Sequence, residues 1–216
     1  MSTVRDPISW LVHELIRIGE LLGARGLVVA DDGNLSARCP DGTILITASG
    51  VRKDAMTGAD IVRIDAEGRA RNDRGPLPTS EVRLHVGIYA RRPDVGAIVH
   101  AHPPTATGLA AAGVSIPDDF LAEAYTLLGP VPVVPYAKPG TRELEQAVVG
   151  CAVRHQAFLL AQHGAVALGR DPEDACRRME RLEHVARALL AARALGGERR
   201  LSREEREALG DPIQGG

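Results

Sequence analysis

An apolar run at residues 95–99 ends in His100-Ala101-His102, and Pro103-Pro104 follows at once. Such a run predicts a buried strand, which the prolines end because proline cannot donate to a β-ladder. Residues i and i+2 of a strand share a face, so both imidazoles point the same way, roughly 6–7 Å apart along the backbone. Two rings placed in this way can bind one metal ion. The pair is also compatible with one histidine paired in the core and the other facing solvent.

Helical and strand patterns alternate along the rest of the chain. Apolar residues three or four apart and capping residues predict helices, whereas short apolar runs between turn formers predict strands. The predicted helices cover residues 8–22, 105–112 and 119–128, a stretch from a cap at Thr79 or Ser80 to about residue 92, one from a cap at Thr141 to about 155, one opened by Asp171-Pro172 to about 195, and a short charged segment after Gly196. The predicted strands, besides the histidine strand, cover residues 27–30, 42–47, 60–65, 131–134 at a sheet edge, and the antiparallel pair 157–161 and 165–168. The chain is expected to fray at Gly215-Gly216.

The alternation of predicted helices and strands along the chain indicates the fold class. Several strands meet through short turns, so the sequence predicts an α/β fold with a mixed sheet that helices cover on both faces. The 216 residues contain no internal repeat and no low-complexity linker. We therefore expect one domain over residues 1–216.

Composition excludes several classes of partner. A formal net charge of −2 gives no reason to expect nucleic acid, and aromatic residues at 3% leave no platform for stacking bases. No apolar stretch approaches the roughly 20 residues of a membrane helix, and residues 1–10 lack the pattern of a secretion signal. Cys39, Cys151 and Cys176 are scattered without metal or redox spacing. These features predict a cytoplasmic protein with reduced thiols that binds neither nucleic acid nor membranes.

Two further residues fall between predicted elements, where a site can form. His163 precedes Gly164 in the turn between two short strands, and a glycine there lets the His163 ring reach a place that a larger neighbour would obstruct. Glu81 lies in the first turn of the helix before the histidine strand. Taken alone, His163 is also compatible with a solvated turn, and Glu81 with a carboxylate stabilised by the helix dipole. His85, one turn after Glu81, is expected to pack within its helix and not to join a metal site.

Three small polar stretches suit a phosphate group. They are residues 33–36, 47–50 and 78–80, which combine hydroxyl or amide side chains with flexible backbone. Ordinary turns and caps have the same composition, so each stretch alone leaves both interpretations open. Arg52 and Lys53 follow the second stretch and are expected in a solvated loop.

Taken together, these stretches resemble the class II aldolase/adducin family, and within it the L-fuculose-1-phosphate aldolase branch. The resemblance covers nearly the whole chain, from residue 33 to the long final helix. Each matching stretch alone is weak evidence for the family. All of them together, in the same order as in the family, are specific evidence. The stretches that carry the resemblance are Gly33-Asn34-Leu35-Ser36, Ile46-Thr47-Ala48-Ser49-Gly50, Thr79-Ser80-Glu81, Ile98-Val99-His100-Ala101-His102, Pro135-Tyr136-Ala137, Gly140-Thr141-Arg142-Glu143-Leu144 and Gln162-His163-Gly164.

The resemblance implies a three-layer α/β/α sandwich with a mixed, mostly antiparallel central sheet. It implies one zinc ion per subunit, held by His100, His102 and His163. Glu81 is then the acid/base, and it also coordinates zinc when substrate is absent. The family further implies a homotetramer whose subunits form a ring with the sites at subunit interfaces. The residues that match its phosphate-binding positions are Asn34, Ser49, Gly50, Thr79 and Ser80.

The activity that the resemblance implies is cleavage of a carbon–carbon bond. The implied enzyme is a zinc-dependent class II aldolase acting on a small ketose 1-phosphate similar to L-fuculose 1-phosphate. Its products are dihydroxyacetone phosphate and an aldehyde. Zinc acts as a Lewis acid that stabilises the enediolate, and Glu81 moves the proton of the substrate hydroxyl.

The aldehyde half of the site departs from the family's pattern. In these aldolases a tyrosine from a neighbouring subunit serves the aldehyde, but Leu121 aligns at that position and Tyr125 lies one turn later. Another aromatic position aligns with Pro139. A sugar-phosphate dehydratase or decarboxylase of the same family is therefore an alternative, as is a 4-epimerase, although an epimerase typically has aspartate where Glu81 stands. A non-catalytic adducin-like module has no need for the three histidines and Glu81.

Overall fold

Seven strands form one sheet in the computed structural model, which describes residues 6–72 and 74–210. The strands are β1 (Asn34–Arg38), β2 (Ile44–Thr47), β3 (Ile61–Ile64), β4 (Ala97–Ala101), β5 (Val133–Val134), β6 (Ala157–Leu160) and β7 (Gly164–Gly169). Their order across the sheet is β3-β2-β1-β4-β7-β6-β5. Only β5 and β6 pair in parallel, and the other neighbours are antiparallel. The expected fraying at Gly215-Gly216 lies outside the described residues.

Two helices begin at the capping residues that the sequence predicts, Thr141 and Asp171. The helices in the described residues are α1 (Pro7–Ala24), α2 (Val82–Arg91), α3 (Pro104–Ala111), α4 (Arg142–Ala152), α5 (Pro172–Ala194) and α6 (Arg203–Ala208). Thr141 caps α4, because its hydroxyl accepts from Leu144 N–H at 3.4 Å, and Asp171 caps α5 in the same way through Asp174 N–H at 2.8 Å. Within residues 6–72 and 74–210, no helix combines the length and hydropathy that a membrane crossing requires.

Helices cover both faces of the sheet. Helices α1, α3 and α5 pack on one face, where they bury Ile18, Leu109 and Leu182. Helices α2 and α4 pack on the other face and bury Ile88 and Val148. Burial of each such aliphatic side chain stabilises the fold by about 1.5–3 kcal/mol. The predicted three-layer α/β/α fold with a mixed, mostly antiparallel sheet is confirmed.

The alternation of strand residues decides on which face the histidines lie. In β4, Val99 faces the layer of α1, α3 and α5, whereas Ile98 faces α2 and α4. His100 follows Ile98 by two residues and therefore points to the side of α2 and α4. His102 follows by two more, just beyond the end of β4. Asn34 in β1 lies directly opposite His100, so it shares this face.

The segment 27–30, which the sequence predicts as a strand, is a turn. Ala30 has a φ of 50°, in the left-handed region that a strand excludes. Leu27 N–H donates to Leu22 O at 2.9 Å and closes the end of α1, and Leu27 O accepts from His102 N–H at 3.0 Å. The strand prediction was wrong because Leu27 and Val28 are buried in the core without pairing to the sheet, while Val29 and Ala30 are exposed. The turn ties His102 to the first helix.

The start of α2 also differs from the prediction. The helix begins at Val82 with Glu81 as its N-cap, and neither Thr79 nor Ser80 is the cap. Thr79 N–H is bonded to Thr47 O at 3.1 Å, which keeps Thr79 in an extended segment. Its hydroxyl accepts from Glu81 N–H at 3.3 Å and turns the chain before the helix.

The helix predicted for 119–128 forms only near its end, as a π-helical turn at Ala124–Leu128. The carbonyl of Asp119 accepts from Leu201 N–H at 2.6 Å, so the C-terminal segment takes a hydrogen bond that a helix would need. Helix α4 ends at Ala152, before the predicted end, because Arg154 N–H turns back to Cys151 O at 3.0 Å.

Candidate functional site

Three imidazole rings meet at the end of β4. The ring centroids of His100 and His102 are 5.1 Å apart, and His163 lies 4.8 Å from the first and 5.0 Å from the second. Each ring offers one nitrogen, and the three nitrogens lie within 4.8 Å of one another. Three neutral imidazoles are a common ligand set for a divalent ion such as zinc. The three histidines can therefore hold a metal ion.

The hairpin between β6 and β7 brings His163 to this place. Residue Ala165 of β7 pairs with Ala101 of β4, so the turn before β7 lies beside the end of β4. His163 N–H closes the turn on Leu160 O at 3.0 Å, with Gln162 in the left-handed region at a φ of 54°. This arrangement explains how residues 61 positions apart in the chain become neighbours.

Gly164 also makes room for a second histidine of the site, which the sequence did not indicate. A Cβ atom on Gly164 would lie 2.5 Å from His102 Cδ2 and 2.6 Å from Ala101 O. The glycine therefore admits the ring of His102 against the start of β7. No other residue type fits there without displacing the ring or the strand.

In His100 and His102, the contact made by Nδ1 shows that Nε2 is the nitrogen that faces the other histidines. His100 Nδ1 donates to Ala165 O at 2.9 Å, because a carbonyl can only accept. His102 Nδ1 lies 3.4 Å from Asp32 Oδ2. The Nε2 atoms of both histidines are buried and have no hydrogen-bond partner among the described residues. An outer carbonyl or carboxylate that holds the far nitrogen is the usual arrangement around metal-binding histidines.

Glu81 completes this cluster. Its Oε2 lies 3.1 Å from His100 Nε2, its Oε1 lies 3.8 Å from His163 Nε2, and Asn34 Nδ2 donates to Oε2 at 2.8 Å. Burial raises the pKa of the Glu81 carboxyl, but the His100 and His163 imidazoles and the Asn34 amide outweigh burial, and the net pKa lies below the ordinary value. Glu81 is therefore an ionised carboxylate at neutral pH.

The cluster fits a metal ion on electrostatic grounds. Glu81 Oε2 and a His100 Nε2 without a proton are both acceptors, and two buried acceptors 3.1 Å apart require a cation between them. Burial lowers the pKa of His100, yet the carboxylate outweighs it and the pKa stands above its ordinary value, so a proton takes this place when no metal does. Burial lowers the pKa of His163 to about 4, which keeps that ring neutral and able to bind a metal.

One open cleft of about 220 Å³ is lined by every residue predicted for the site other than His100. His100 is fully buried, next to Glu81. The segment 47–50 reaches the segment 78–80 through a bridge between Ala48 and Pro78, and Ser49 N–H donates to Leu77 O at 3.0 Å. The cleft is lined by Asp31, Asp32, Gly33, Asn34, Ala48, Ser49, Gly50, Lys53, Thr79, Ser80, Glu81, His102, Pro139 and His163.

Lys53 is buried, which corrects the expectation of a solvated loop. It is 1% exposed, and its ammonium donates to Asp31 O at 2.8 Å and to Val51 O. Burial lowers the pKa of Lys53. Arg52 does lie at the surface, where it pairs with Asp54 at 2.7 Å. No local pattern distinguishes the two cations, because Lys53 is covered only when α1 packs over it.

The sequence also missed the polar partners of the site. Asp32 next to His102 had no motif to identify it. His85, which the sequence predicts to pack within its own helix, is buried and hydrogen-bonded to Asn34 and Ser36 of β1. The sequence does contain a spacing that fits this contact. Glu81 and His85 are four residues apart, one at the N-cap of α2 and one within it, and Asn34 and Ser36 are two residues apart on β1, so each pair lies on one face of its element.

The candidates for the aldehyde side lie elsewhere. Leu121 is half-buried against the core layer of α1, α3 and α5. Of the residues that the structure describes, neither Leu121 nor Tyr125 is among those lining the cleft, whereas Pro139 is.

The chain matches the family model of the class II aldolase and adducin N-terminal domain over residues 13–190. It is 39% identical over 82% of its length to a 5-methylthioribulose-1-phosphate/5-deoxyribulose-1-phosphate aldolase of Rhodospirillum rubrum, of which it covers 78%. A methylthioribulose-1-phosphate dehydratase of Methylococcus capsulatus is 37% identical over 80% of this chain and 89% of that protein. A 3-oxo-tetronate 4-phosphate decarboxylase of Escherichia coli K12 is 33% identical over 88% and 90%.

A solved structure supports the same fold. The chain superposes on an L-fuculose 1-phosphate aldolase with a TM-score of 0.86 and 31% identity, covering 93% of this chain and 94% of that one. By their names, the proteins that this chain resembles thus catalyse several different reactions on phosphorylated compounds.

Proposed function

The chain belongs to the class II aldolase and adducin family, and on that basis we propose that it is a metal-dependent aldolase. Its proposed substrate is a small ketose 1-phosphate, cleaved to dihydroxyacetone phosphate and an aldehyde. One observation carries the proposal. Three converging histidines and an ionised Glu81 lie beside the segments 47–50 and 78–80, which present hydroxyl and backbone N–H groups to the same cleft. The relative of 39% identity is an aldolase of two such ketose phosphates by its name.

The phosphate end of the substrate lies, in this proposal, between the segments 47–50 and 78–80. Ser49, Thr79 and Ser80 offer hydroxyl groups there, and Gly50 and Ser80 offer backbone N–H groups. Asn34 lines the same cleft and has a second amide hydrogen besides the one that it donates to Glu81. Neutral donors and fixed backbone N–H groups bind phosphate well. Lys53 lines the same cleft and is the cation that offsets the dianion, since Asp31 and Asp32 make this region otherwise acidic.

His100, His102 and His163 would hold the metal, which we propose to be zinc, one ion per subunit. When bound, the ion supplies Lewis-acid stabilisation of negative charge on the substrate oxygens. The neighbouring residues keep the donor nitrogens available, because Ala165 O holds the far side of His100 and Asp32 the far side of His102. Glu81 lies beside His100 and His163 and would also hold the ion when no substrate is present.

Glu81 moves the proton in this mechanism. Its Oε1 is buried and has no hydrogen-bond partner in the part of the chain that the structure describes, so it is available to the substrate. It accepts the proton of the hydroxyl on the carbon that becomes the aldehyde. The electron pair of the breaking carbon–carbon bond passes to the ketone, and Glu81 returns the proton to the carbon that lost the bond. A positioned carboxylate of this kind contributes about 100- to 10,000-fold to the rate.

Dehydration of the same substrate class is the second candidate. A dehydratase removes a hydroxyl group and needs no aromatic group on the aldehyde side, and neither Leu121 nor Tyr125 lines the cleft of this chain. The dehydratase relative is 37% identical, close to the 39% of the aldolase. Decarboxylation and 4-epimerisation have less support, because decarboxylase relatives reach 33% and Glu81 replaces an epimerase's typical aspartate.

We also propose a homotetramer with sites at subunit interfaces. Three large apolar side chains lie exposed close in sequence to cleft residues, Val29 at 62%, Leu77 at 76% and Tyr136 at 63%. Where such side chains form one patch, the patch is typical of a surface that another subunit covers. Light scattering on the eluting peak of a sizing column gives the mass, and four chains of 22.9 kDa are expected.

A turnover screen tests the proposed function. The zinc-loaded protein is incubated with ketose 1-phosphates, including 5-deoxyribulose 1-phosphate and 5-methylthioribulose 1-phosphate, and with 3-oxo-tetronate 4-phosphate. Dihydroxyacetone phosphate, dehydrated product and carbon dioxide are detected separately. Formation of dihydroxyacetone phosphate, lost in Glu81→Gln and kept in His184→Ala, is the expected result, since His184 is an exposed histidine outside the cleft. Dehydration or decarboxylation without cleavage would overturn the aldolase assignment.

A further inference from the structure

Five polar side chains form a continuous buried row that ends on Glu81. Tyr89 Oη lies 2.8 Å from Ser36 Oγ, which lies 2.7 Å from His85 Nδ1. His85 Nε2 is hydrogen-bonded to Asn34 Oδ1, and Asn34 Nδ2 donates to Glu81 Oε2 at 2.8 Å. All five residues are at most 8% exposed. Such a network lies in a low dielectric, where each satisfied hydrogen bond is strong and each missing one is costly.

The row forms because the spacing of side chains along α2 is similar to their spacing along β1. Glu81, His85 and Tyr89 are four residues apart at the start of α2 and along it, so they share one face of the helix. Asn34 and Ser36 are two apart on β1 and share one face of the strand. One helical turn rises about 5.4 Å and two strand residues about 6.7 Å. The two sets therefore interdigitate, with His85 seated between Asn34 and Ser36.

The protons in the row can be ordered in one direction only. Asn34 Nδ2 donates to Glu81 Oε2 at 2.8 Å, so Asn34 presents its amide hydrogen to Glu81 and its oxygen to His85. That oxygen requires a hydrogen on His85 Nε2. Burial lowers the pKa of His85 to about 3, so the ring is neutral and its Nδ1 is a bare acceptor. Ser36 then donates to His85, and Tyr89, whose pKa is raised by burial, donates to Ser36.

We propose that His85 is a positioning residue that fixes the proton-transferring carboxylate of Glu81 from the core, through the amide of Asn34. The proposal rests on the proposed function, in which Glu81 moves the proton. The hydrogen bonds of the His85 ring among the described residues go to Asn34 and Ser36, and His85 is not among the residues that line the cleft. It holds the amide of Asn34 in the one orientation that donates to Glu81 Oε2, which leaves Oε1 for the substrate.

This assignment gives His85 the opposite tautomer from the metal-site histidines. His85 carries its hydrogen on Nε2, whereas His100 carries it on Nδ1 toward Ala165 O. Two-bond proton–nitrogen spectra of zinc-loaded protein labelled with ¹⁵N-histidine distinguish the two forms. The His85 signal is identified by its absence from the His85→Gln protein. A hydrogen on Nε2 is expected, and a hydrogen on Nδ1 would overturn the proposal whether or not any sugar phosphate is turned over.

Two matched variants test the functional consequence. In His85→Gln the side-chain amide nitrogen lies three bonds beyond Cβ, as Nε2 does, and can still donate to Asn34. In His85→Asn the amide oxygen lies two bonds beyond Cβ, as Nδ1 does, and only the contact with Ser36 is kept. We expect His85→Asn to lower kcat by about 10- to 100-fold, the range seen when a group that orients a metal-site residue is lost. KM and zinc content stay near the native values, and His85→Gln restores most of kcat.

Equal losses in the two variants would show a merely structural role and refute the assignment, as would unchanged kcat in both. Circular dichroism and zinc analysis of both proteins exclude unfolding as the cause. If the native protein turns over none of the sugar phosphates, the proposed function fails, while the tautomer measurement still decides the direction of the row.

Discussion

Replacement of Gly164 by alanine places a methyl group where the site has no space. The new Cβ would lie 2.5 Å from His102 Cδ2 and 2.6 Å from Ala101 O. The oxygen belongs to β4, whose pairing with β7 includes Ala101 opposite Ala165, so it moves only if the ladder distorts. Overpacking of this kind costs about 1–3 kcal/mol of unfolding free energy. The alternative is rotation of the His102 ring, which carries Nε2 away from the metal.

A displacement of His102 has its own measurable effect. Metal–nitrogen bonds of about 2.0–2.1 Å tolerate only a few tenths of an ångström, so a displaced ring no longer binds well. We expect zinc affinity to fall by about 10- to 100-fold, as for other losses of ligand orientation. Denaturant unfolding of the chelator-treated protein, followed by far-ultraviolet circular dichroism, measures packing alone. Competition with a chromogenic chelator measures zinc binding.

Gly150→Ala provides the matched control for this change. Gly150 lies exposed in α4, and a Cβ atom on it would meet no heavy atom of a neighbouring element within 4 Å. The same methyl group is expected to stabilise that helix by about 0.5–1 kcal/mol and to leave zinc affinity unchanged. If Gly164→Ala unfolds at the native denaturant concentration and binds zinc as the native protein does, the steric argument for the site is wrong.

Three further changes probe separate parts of the site. His102→Ala should remove most of the bound zinc without loss of secondary structure, and full metal occupancy by elemental analysis would exclude His102 as a ligand. Ser49→Ala should weaken a phosphate-bearing hydroxamate by about 1–3 kcal/mol in calorimetric titration and leave zinc content unchanged; equal affinity for the phosphorylated and dephosphorylated forms would refute the phosphate site. The pKa of His85 is about 3 when folded against an ordinary 6.5, so the unfolded chain takes up a proton first as pH falls. Unfolding free energy should therefore decrease from pH 6.5 toward pH 3, by about 2 kcal/mol at pH 5 from this residue alone, and an unchanged pH dependence in His85→Gln would contradict its burial as a neutral ring.

The sequence predicts those features that local chemistry decides. Proline after His102 ends β4, Thr141 and Asp171 begin their helices, and the alternation of β4 sets the face of His100. These signals act within a few residues, so no knowledge of the tertiary structure is needed. The family resemblance then supplied the third histidine and Glu81, which the structure brings together.

Features that depend on distant packing could not be predicted in this way. The residues around Leu27 are apolar because they close the end of α1 and hold His102, but a buried turn and a buried strand have the same composition. Lys53 is covered by α1, whose Gly19 packs against its backbone from 34 positions earlier in the chain. The contact of His85 with Asn34 requires that α2 lie across β1, and neither spacing alone identifies its partner.

Proton exchange tests the central claim most directly. The claim is that Glu81 exchanges a proton with the carbon next to the ketone of a phosphate ester held in this cleft. Zinc-loaded protein is incubated in deuterium oxide with dihydroxyacetone phosphate alone, and deuterium in the recovered ester is measured by mass spectrometry. We expect one deuterium atom at the hydroxyl-bearing carbon, lost in Glu81→Gln and kept in His184→Ala. Absence of exchange in native protein that carries zinc and binds the ester would contradict the account.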